Sequence, residues 1–241
     1  MCVNGGRTRK DHPAIPITPE EVAASAKEAV AAGAFAVHVH VRGKDGEQSL
    51  APEDIAATVT AVRAAVPGTP VGVSTILSIL KDPVIRHQTV SRWTVLPDFV
   101  SANLREEGTV PLAEMLLSRG VGIEAGLSNG AGAALLVTSG LAPKCLRILL
   151  EPGGQGSVEA ALQLVKEMET PLDEARVTVR RLLHGSNNTS WALIDEAAAR
   201  GYDTRVGFED ILTLPDGTQA ASNAVLVAEA LRRMRRVPTK M

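Results

Sequence analysis

The stretch Val37-His38-Val39-His40-Val41-Arg42 alternates valines with basic side chains, and the turn-forming residues Gly43-Lys44-Asp45-Gly46 follow it. A short β-branched segment before a Gly/Asp cluster is typical of a buried strand. Because alternate residues of a strand face the same way, His38, His40 and Arg42 are predicted to project together. Two neighbouring imidazoles beside a loop form half of a metal site. One histidine packed in the core and one capping a loop would explain the same pattern.

The composition limits the class of protein. The chain has 241 residues, of which 45% are hydrophobic and only 2% aromatic, so we expect a core of alanine, valine and leucine. The net charge of -2 argues against a partner such as nucleic acid or a membrane surface. Two cysteines, Cys2 and Cys145, provide no disulfide framework and fit a reducing compartment. The sequence shows neither a long apolar run nor a signal-peptide pattern, so we expect a cytoplasmic protein.

Strand-like and helix-like segments alternate along the whole chain. Strands are predicted at residues 2–4, 37–42, 71–75, 98–103, 122–125, 145–151, 180–184 and 204–209. Helices are predicted at residues 18–32, 51–66, 83–93, 110–119, 130–139, 157–169, 190–200 and 221–235. Regular β–α alternation implies a parallel sheet covered by helices. Eight such units match the (β/α)8 TIM barrel, which typically takes about 250 residues. We therefore expect an α/β fold with one (β/α)8 TIM barrel domain over residues 1–241, a doubly wound open sheet being the alternative.

Polar residues end all eight predicted strands, which is where a (β/α)8 barrel gathers its chemistry. They are Asn4, His38 and His40, Ser74, Ser101 and Asn103, Glu124, Glu151, His184, and Glu209 with Asp210. In a barrel these side chains would surround one mouth. Glu209 could complete a His-His-carboxylate zinc set that keeps one position open for substrate or water. A salt bridge between Glu209 and Arg205, two strand periods apart, is the alternative.

Several motifs occur together, in this order and at similar spacing, in the β-keto acid cleavage enzyme family. They are Val3-Asn4-Gly5-Gly6-Arg7, His12-Pro13, Pro16-Ile17-Thr18-Pro19-Glu20-Glu21, Val37-His38-Val39-His40-Val41-Arg42, Val73-Ser74-Thr75 and Arg205-Val206-Gly207-Phe208-Glu209-Asp210. The chain closely resembles this family over nearly its whole length. The His-x-His-x-Arg strand combined with Arg-x-Gly-x-Glu-Asp is specific, whereas either motif alone is a weak signal.

The resemblance implies a zinc-dependent barrel acyltransferase that converts a β-keto acid and acetyl-CoA into acetoacetate and a new acyl-CoA. It implies Zn2+ as the cofactor, acetyl-CoA as co-substrate, and a homo-oligomer, the family tending to tetramers. By resemblance, the metal ligands are His38, His40 and Glu209. The same resemblance assigns substrate contacts to Ser74, Ser101 and Asn103. It assigns the proton transfer of the condensation to the pair Arg205 and Asp210.

This chemistry suits the residue types. A metal bound by both the keto group and the carboxylate of the substrate makes the carbon between them more acidic. Asp210 could remove that proton, with Arg205 tuning its pKa and position. The resemblance implies that the enolate then attacks the thioester, that CoA passes to the other acyl group, and that a reverse Claisen step releases acetoacetate.

Two departures from the family pattern bear on the substrate. Members that act on the aminated keto acid carry an acid where this chain has Arg7, and a guanidinium cannot pair with an ammonium group. We therefore expect a substrate tail that is not cationic. The Gly-Gly that often follows the Ser-Thr of the third strand is Ile76-Leu77 here, which narrows the pocket or makes it more apolar. Glu124 could contact substrate, and a hydrogen bond to another barrel residue is the alternative.

Two other functions use similar residues. A metal-dependent hydrolase of the amidohydrolase type also begins with His-x-His on a barrel strand, but it needs further histidines on the middle strands and a late aspartate. The chain has five histidines, and only His184 is suitably placed. A non-catalytic metal- or ligand-binding barrel would not need the complete set of predicted site residues.

Overall fold

The computed structural model of the protein describes residues 1–153 and 156–236. The helices are α1 (Pro19–Ala31), α2 (Pro52–Ala65), α3 (Pro83–Ser91), α4 (Thr109–Ser118), α5 (Gly130–Thr138), α6 (Val158–Glu174), α7 (Ser190–Arg200) and α8 (Asn223–Arg236). The strands are β1 (Val37–Val39), β2 (Val71–Ser74), β3 (Phe99–Asn103), β4 (Gly122–Leu127), β5 (Arg147–Leu150) and β6 (Arg181–Leu183). Among these residues, three short 3₁₀ turns lie at Leu77–Ile79, Ala142–Lys144 and Asn187–Thr189.

The six strands form one sheet in chain order, β1-β2-β3-β4-β5-β6, with helices in the connections. Two further strand positions are single parallel bridges, Cys2 with His38 and Leu182 with Asp203. The strands are buried because valine, leucine and isoleucine dominate them, as expected for a sheet covered by helices. The fold class is α/β, and the predicted (β/α)8 TIM barrel is confirmed. The prediction of one domain over residues 1–241 stays a prediction.

Backbone contacts divide the chain into two compact units. The first unit comprises Met1–Val100 and Val206–Leu231. Within it β1 and β2 run parallel with Val37 opposite Val71, and the backbone N–H of Cys2 donates to the carbonyl of Val206 at 3.1 Å. Helix α1 packs against α2. It begins where the sequence predicts, because Thr18 and Glu21 form a capping box and Pro19 starts the helix.

The second unit comprises Ser101–Arg205 and, of the described residues, those from Arg232 to Arg236. Its strands β4, β5 and β6 are parallel, with Ala125 opposite Ile148 and Leu149 opposite Leu182. Helices α5 and α6 pack against each other. Helix α7 ends at Gly201, whose φ of 68° lies in the left-handed region that a glycine adopts without strain.

Several predicted element boundaries were wrong, with prominent differences at β1, α6 and the predicted eighth strand. Strand β1 ends at Val39 rather than at residue 42. At His40 the buried side chain of Asn4, and not its backbone, bonds to the strand, so regular pairing with residues 2–4 stops there. Helix α6 continues past residue 169 to Glu174, through Pro171. The fully buried side chain of Leu172 accounts for the extension, since packing outweighs the lost hydrogen bond.

The predicted eighth strand at residues 204–209 is the third of these differences. Its bridge lies at Asp203, and the chain turns at Gly207, whose carbonyl accepts from the N–H of Asp210 at 2.8 Å. A Cβ on Gly207 would lie 1.8 Å from the carbonyl oxygen of Cys2, so this glycine allows the two backbones to touch. Glu209 therefore comes from a turn, and the two-residue strand period does not relate it to Arg205.

No helix among the described residues combines the length and the low polarity that crossing a membrane requires.

Candidate metal centre

Three side chains of the first unit bring metal-binding atoms together. One ligand atom from each of His38, His40 and Glu209 lies within 4.8 Å of the other two. The two Nε2 atoms lie 3.8 Å and 3.5 Å from the two carboxylate oxygens of Glu209. Both histidines are buried, and their ring centroids are 5.4 Å apart with the planes at 75°. The prediction that the two imidazoles face the same way is confirmed.

These separations fit a metal ion better than direct hydrogen bonds. Donors held at 2.0–2.1 Å from a tetrahedral zinc lie about 3.3 Å from one another. The two nitrogen–oxygen distances here are slightly longer than that and exceed the usual length of a hydrogen bond. Two imidazoles and one carboxylate are also the donor types that zinc accepts when it keeps an open position. The residues present therefore fit the ion that the sequence predicts.

Close backbone contacts place Glu209. A Cβ on Gly5, whose φ is +55°, would lie 2.5 Å from Cγ of Glu209, so only glycine allows this approach. The residue before Glu209 is also held, because the N–H of Phe208 donates to Oδ1 of Asn223 at 2.7 Å. The Phe208 ring packs against the buried His12, with centroids 4.6 Å apart. Glu209 is thus positioned by its contact with Gly5 of the first loop and by the bond of the preceding residue, Phe208, to Asn223.

His40 is held at its backbone and at its ring. The side-chain amide of Asn4, which is fully buried, accepts from the N–H of His40 and donates to its carbonyl, both at 3.0 Å. The ring Nδ1 lies 2.5 Å from Oε1 of Gln48. The Nε2 that remains is the atom that faces Glu209. The ligand is therefore oriented by two amide side chains.

Two arginines bind backbone carbonyls beside the candidate metal ligands. Arg7 Nε donates to the carbonyl of Glu209 at 3.2 Å, and its Nη2 donates to the carbonyl of Asp210 at 3.4 Å. Arg42 Nη2 donates to the carbonyls of Gly5 and Arg7, the latter at 2.9 Å. Burial lowers the pKa of the Arg42 guanidinium, and the nearby carboxylates act against that shift, Glu209 among them. Arg7 therefore connects the first loop to the turn that carries Glu209 and Asp210.

The other predicted site residues are divided between the units. Ser74 and Asp210 are buried in the first unit, where the Ser74 hydroxyl accepts from the N–H of Ile76 at 3.4 Å. Ser101, Asn103, Glu124 and Arg205 belong to the second unit. Asn103 is half-buried and donates to Glu106 Oε1 at 3.0 Å.

The charged residues of the second unit form two groups, of which the one around Glu124 is buried. The Glu124 carboxylate accepts from Nε of Arg147, and both residues are buried. Burial raises the pKa of the Glu124 carboxyl, while Arg147 and Arg205 act in the opposite direction. Glu151 pairs with Nε2 of His184 at 3.0 Å and lies 3.7 Å from Arg205 Nη2. Of the alternatives for Glu124, the structure contains the hydrogen bond to a neighbouring strand residue.

Sequence reasoning missed the residues that position the ligands. It noted Asn4 at a strand end without giving it a role, and it gave Gln48 none. The signal for Gln48 was present, because a tight turn after residue 42 returns the chain and places residue 48 opposite Arg42. It assigned neither Arg147 nor the pairing of Glu151 with His184, since those pairs join residues 23 and 33 positions apart.

Comparison with characterised proteins places the chain in a family. The family model described as beta-keto acid cleavage enzyme matches residues 1–240. The chain is 26% identical over 247 residues to the 3-keto-5-aminohexanoate cleavage enzyme of Acetoanaerobium sticklandii, covering 96% of this chain and 89% of that protein. It is 40% identical over 76 residues to the 3-oxoadipate:acetyl-CoA acetyltransferase of Cupriavidus necator, covering 31% of this chain and 27% of that protein.

Solved structures agree on the fold. The apo structure of ObcA superposes with a TM-score of 0.75 at 17% identity, covering 95% of this chain. The chain spans 64% of the length of that ObcA chain. The ternary complex of ObcA with a C4-CoA adduct and oxalate gives a TM-score of 0.76 at 16% identity, covering 92% of this chain and 64% of the other. From the family match over residues 1–240, the chain belongs to the beta-keto acid cleavage enzyme family.

Proposed function

We propose that the protein is a zinc-dependent enzyme that converts a β-keto acid and acetyl-CoA into acetoacetate and a new acyl-CoA. The observation that carries this proposal is the cluster of His38, His40 and Glu209, whose donor atoms lie within 4.8 Å of one another in a member of this family. Zinc held there would polarise the keto group and make the neighbouring carbon more acidic. We further propose that the protein is cytoplasmic and assembles as a homo-oligomer.

Two residues are proposed to handle the proton. Asp210 follows the ligand Glu209 in the same turn and is 2% exposed, so a carboxylate there would act as a base with little competition from water. Arg205 is proposed to tune that base. Its guanidinium is buried and lies 3.7 Å from Glu151.

Replacing Asp210 with Asn should reduce turnover and leave zinc content unchanged, because Asp210 is proposed to accept a proton and not to bind the ion.

Substrate contacts are proposed for Ser74, Ser101, Asn103, Glu124 and Arg7, and the tail of the substrate is proposed not to be cationic. Arg7 supports this, because its guanidinium bonds to the backbone of the turn that carries Glu209 and Asp210, and Arg42 bonds to the backbone of Arg7. The relatives named above act on acids with different tails. 3-Keto-5-aminohexanoate carries an ammonium group, whereas 3-oxoadipate carries a second carboxylate.

The test combines metal analysis with a substrate panel. The purified protein should contain about one zinc per chain, and with acetyl-CoA it should form a new acyl-CoA from a neutral or dicarboxylic β-keto acid faster than from 3-keto-5-aminohexanoate. Iron instead of zinc would contradict the proposal, since two histidines and a carboxylate also bind ferrous iron. No acyl-CoA from any acid in the panel would contradict it as well.

Variants of Arg7 separate its charge from its hydrogen bonds. Arg7→Glu should shift the preference toward a cationic tail, whereas Arg7→Lys keeps the charge but loses the geometry that reaches both carbonyls. If both variants lose activity equally with every acid, Arg7 acts on the turn alone and the proposed tail preference is wrong.

A further inference from the structure

Gln48 lies on the second arm of a short hairpin that follows β1. The arms are joined by an antiparallel bridge between Arg42 and Gln48, by a 2.8 Å bond from the N–H of Gly43 to Glu47, and by a 2.9 Å bond from Ser49 to Val41. Residues opposite each other on paired strands project to the same face, and diagonal neighbours two positions away remain within reach of a long side chain. Gln48 is therefore diagonal to the residue two positions before Arg42, which is His40.

The contact between the two side chains is short and specific. Oε1 of Gln48 lies 2.5 Å from Nδ1 of His40, whose ring is buried. An amide oxygen can only accept a hydrogen bond, so this contact requires the proton of the neutral imidazole to be on Nδ1. The lone pair then lies on Nε2, the nitrogen that faces Oε1 of Glu209 at 3.5 Å.

We propose that Gln48 is a positioning residue that sets the tautomer and ring orientation of His40 before the metal binds. This inference rests on the proposed metal centre. Asn4 already fixes the backbone of His40 through two hydrogen bonds, which leaves rotation of the ring and the location of its proton undetermined. The Gln48 bond determines both. A metal-binding histidine commonly donates its second N–H to an oxygen acceptor, and removing that acceptor costs about 10–100-fold in metal affinity.

The variants change the acceptor and little else. Gln48→Met removes the oxygen at similar length, and Gln48→Glu keeps an oxygen acceptor and adds charge. Gln88→Met is the matched control, because Gln88 is exposed on α3 and its loss tests the effect of the substitution itself. Circular dichroism and thermal unfolding establish that each variant is folded.

The first measurement uses the metal-free wild-type protein and needs no variant. Two-bond ¹H–¹⁵N spectra at about pH 8.5, where an ordinary histidine is neutral, report which ring nitrogen carries the proton. The His40 signals are assigned by their absence from His40→Ala. We expect the Nδ1–H tautomer in the wild type and a mixture or the Nε2–H tautomer in Gln48→Met. An Nε2–H tautomer in the wild type would overturn the inference, since the amide would then present its NH₂ group to the ring.

The second measurement is zinc affinity, by competition with a chelator. We expect Gln48→Met to bind zinc about 10–100-fold more weakly than wild type, and Gln48→Glu and Gln88→Met to stay close to wild type. Equal affinity for wild type and Gln48→Met would overturn the inference and leave the proposed function standing. A wild-type protein that binds no zinc, with the tautomer still dependent on Gln48, would overturn the proposed zinc centre alone.

Discussion

The candidate metal centre of the first unit and the charged cluster of the second unit surround their carboxylates with different partners. In the second unit Glu124 is bonded to Arg147, and Glu151 is paired with His184 and Arg205. In the first unit the Glu209 oxygens face two imidazole nitrogens at 3.5 and 3.8 Å, which carry positive charge only when protonated. The second cluster pairs its carboxylates with guanidinium groups, whereas the first brings two imidazoles and a carboxylate to separations that fit a metal ion.

The difference shows how to separate structural ion pairs from ligand sites. A carboxylate that contacts guanidinium groups through hydrogen bonds contributes to stability without a bound ion. A carboxylate grouped with imidazole nitrogens at such separations instead offers a set of donor atoms that suits a metal ion. The predictions below test this contrast, beginning with the largest expected effect.

Removing a cation from the second unit should cost the most stability. Arg147→Met leaves Glu124 buried without its main partner, and breaking such a pair costs about 3–5 kcal/mol in the free energy of unfolding. The double variant Glu124→Gln/Arg147→Met should recover much of this loss, since neither member of the pair is then charged. Chemical denaturation measures both. The exposed Arg63 pairs with Asp98, so Arg63→Met should cost less than about 1 kcal/mol. A double variant no more stable than Arg147→Met would contradict the ion-pair role.

Removing the carboxylate of the first unit should instead weaken metal binding strongly. Structural zinc sites bind with about 10–16 kcal/mol from four ligands, so one ligand contributes about 2.5–4 kcal/mol, or roughly 70- to 850-fold in affinity. Glu209→Gln should show this loss in a chelator competition, together with loss of turnover. Glu47→Gln is the control, because Glu47 also acts on the charge of Arg42 but is exposed and is not among the ligands. Equal zinc affinity in Glu209→Gln and wild type would remove Glu209 from the site.

Zinc should stabilise the wild-type protein by mass action. At a free concentration of about 100 times Kd, a ligand that binds only the folded state adds about 2.7 kcal/mol to the free energy of unfolding. Denaturation with and without zinc measures the increase, which should disappear in Glu209→Gln and persist in Glu124→Gln/Arg147→Met. A zinc effect that survives Glu209→Gln would place the ion elsewhere.

The smallest effect tests the close approach of Gly5. Both Gly5→Ala and Gly68→Ala place a side chain at positive φ, where an L-residue costs about 1–2 kcal/mol. Only at Gly5 does the new Cβ meet Glu209, whereas nothing lies within 4 Å of a Cβ at Gly68. Zinc affinity should fall about tenfold, or about 1.4 kcal/mol, in Gly5→Ala and stay unchanged in Gly68→Ala. Equal affinities in the two variants would show that the Glu209 side chain moves to make room for the added methyl group without loss of zinc binding.

Much of the fold could be predicted because its signals are local. The capping box of Thr18 and Glu21 and the left-handed Gly201 each mark a helix end within four residues. The prediction failed at residues 37–42 and 204–209, where period-two patterns continued but the strands did not. There the side chain of Asn4 and the contact of Gly207 with Cys2 replace strand pairing, and both come from residues distant in the sequence.

The family was readable in the sequence, as was the enzyme class, an acyltransferase that cleaves a carbon–carbon bond. Motifs such as His-x-His and Arg-x-Gly-x-Glu-Asp combine residue types with fixed spacing. They named three candidate ligands, and the structure brings the donor atoms of all three together. Arg205, the partner of Glu209 in the alternative interpretation, lies 3.7 Å from Glu151.

The sequence by itself determined the alternation of strands and helices, the burial of the valine-rich strands and the chemical types of the ligands, because those depend on neighbouring residues. Only the tertiary structure decided which side chains hold the ligands in place: the Asn4 amide on the His40 backbone, Gln48 on its ring, and Gly5 against Glu209. The physical reason is the short distance over which such contacts act. Hydrogen bonds and van der Waals contacts act over a few ångströms in space, and Gly5 and Glu209 are brought within that range only when the chain folds.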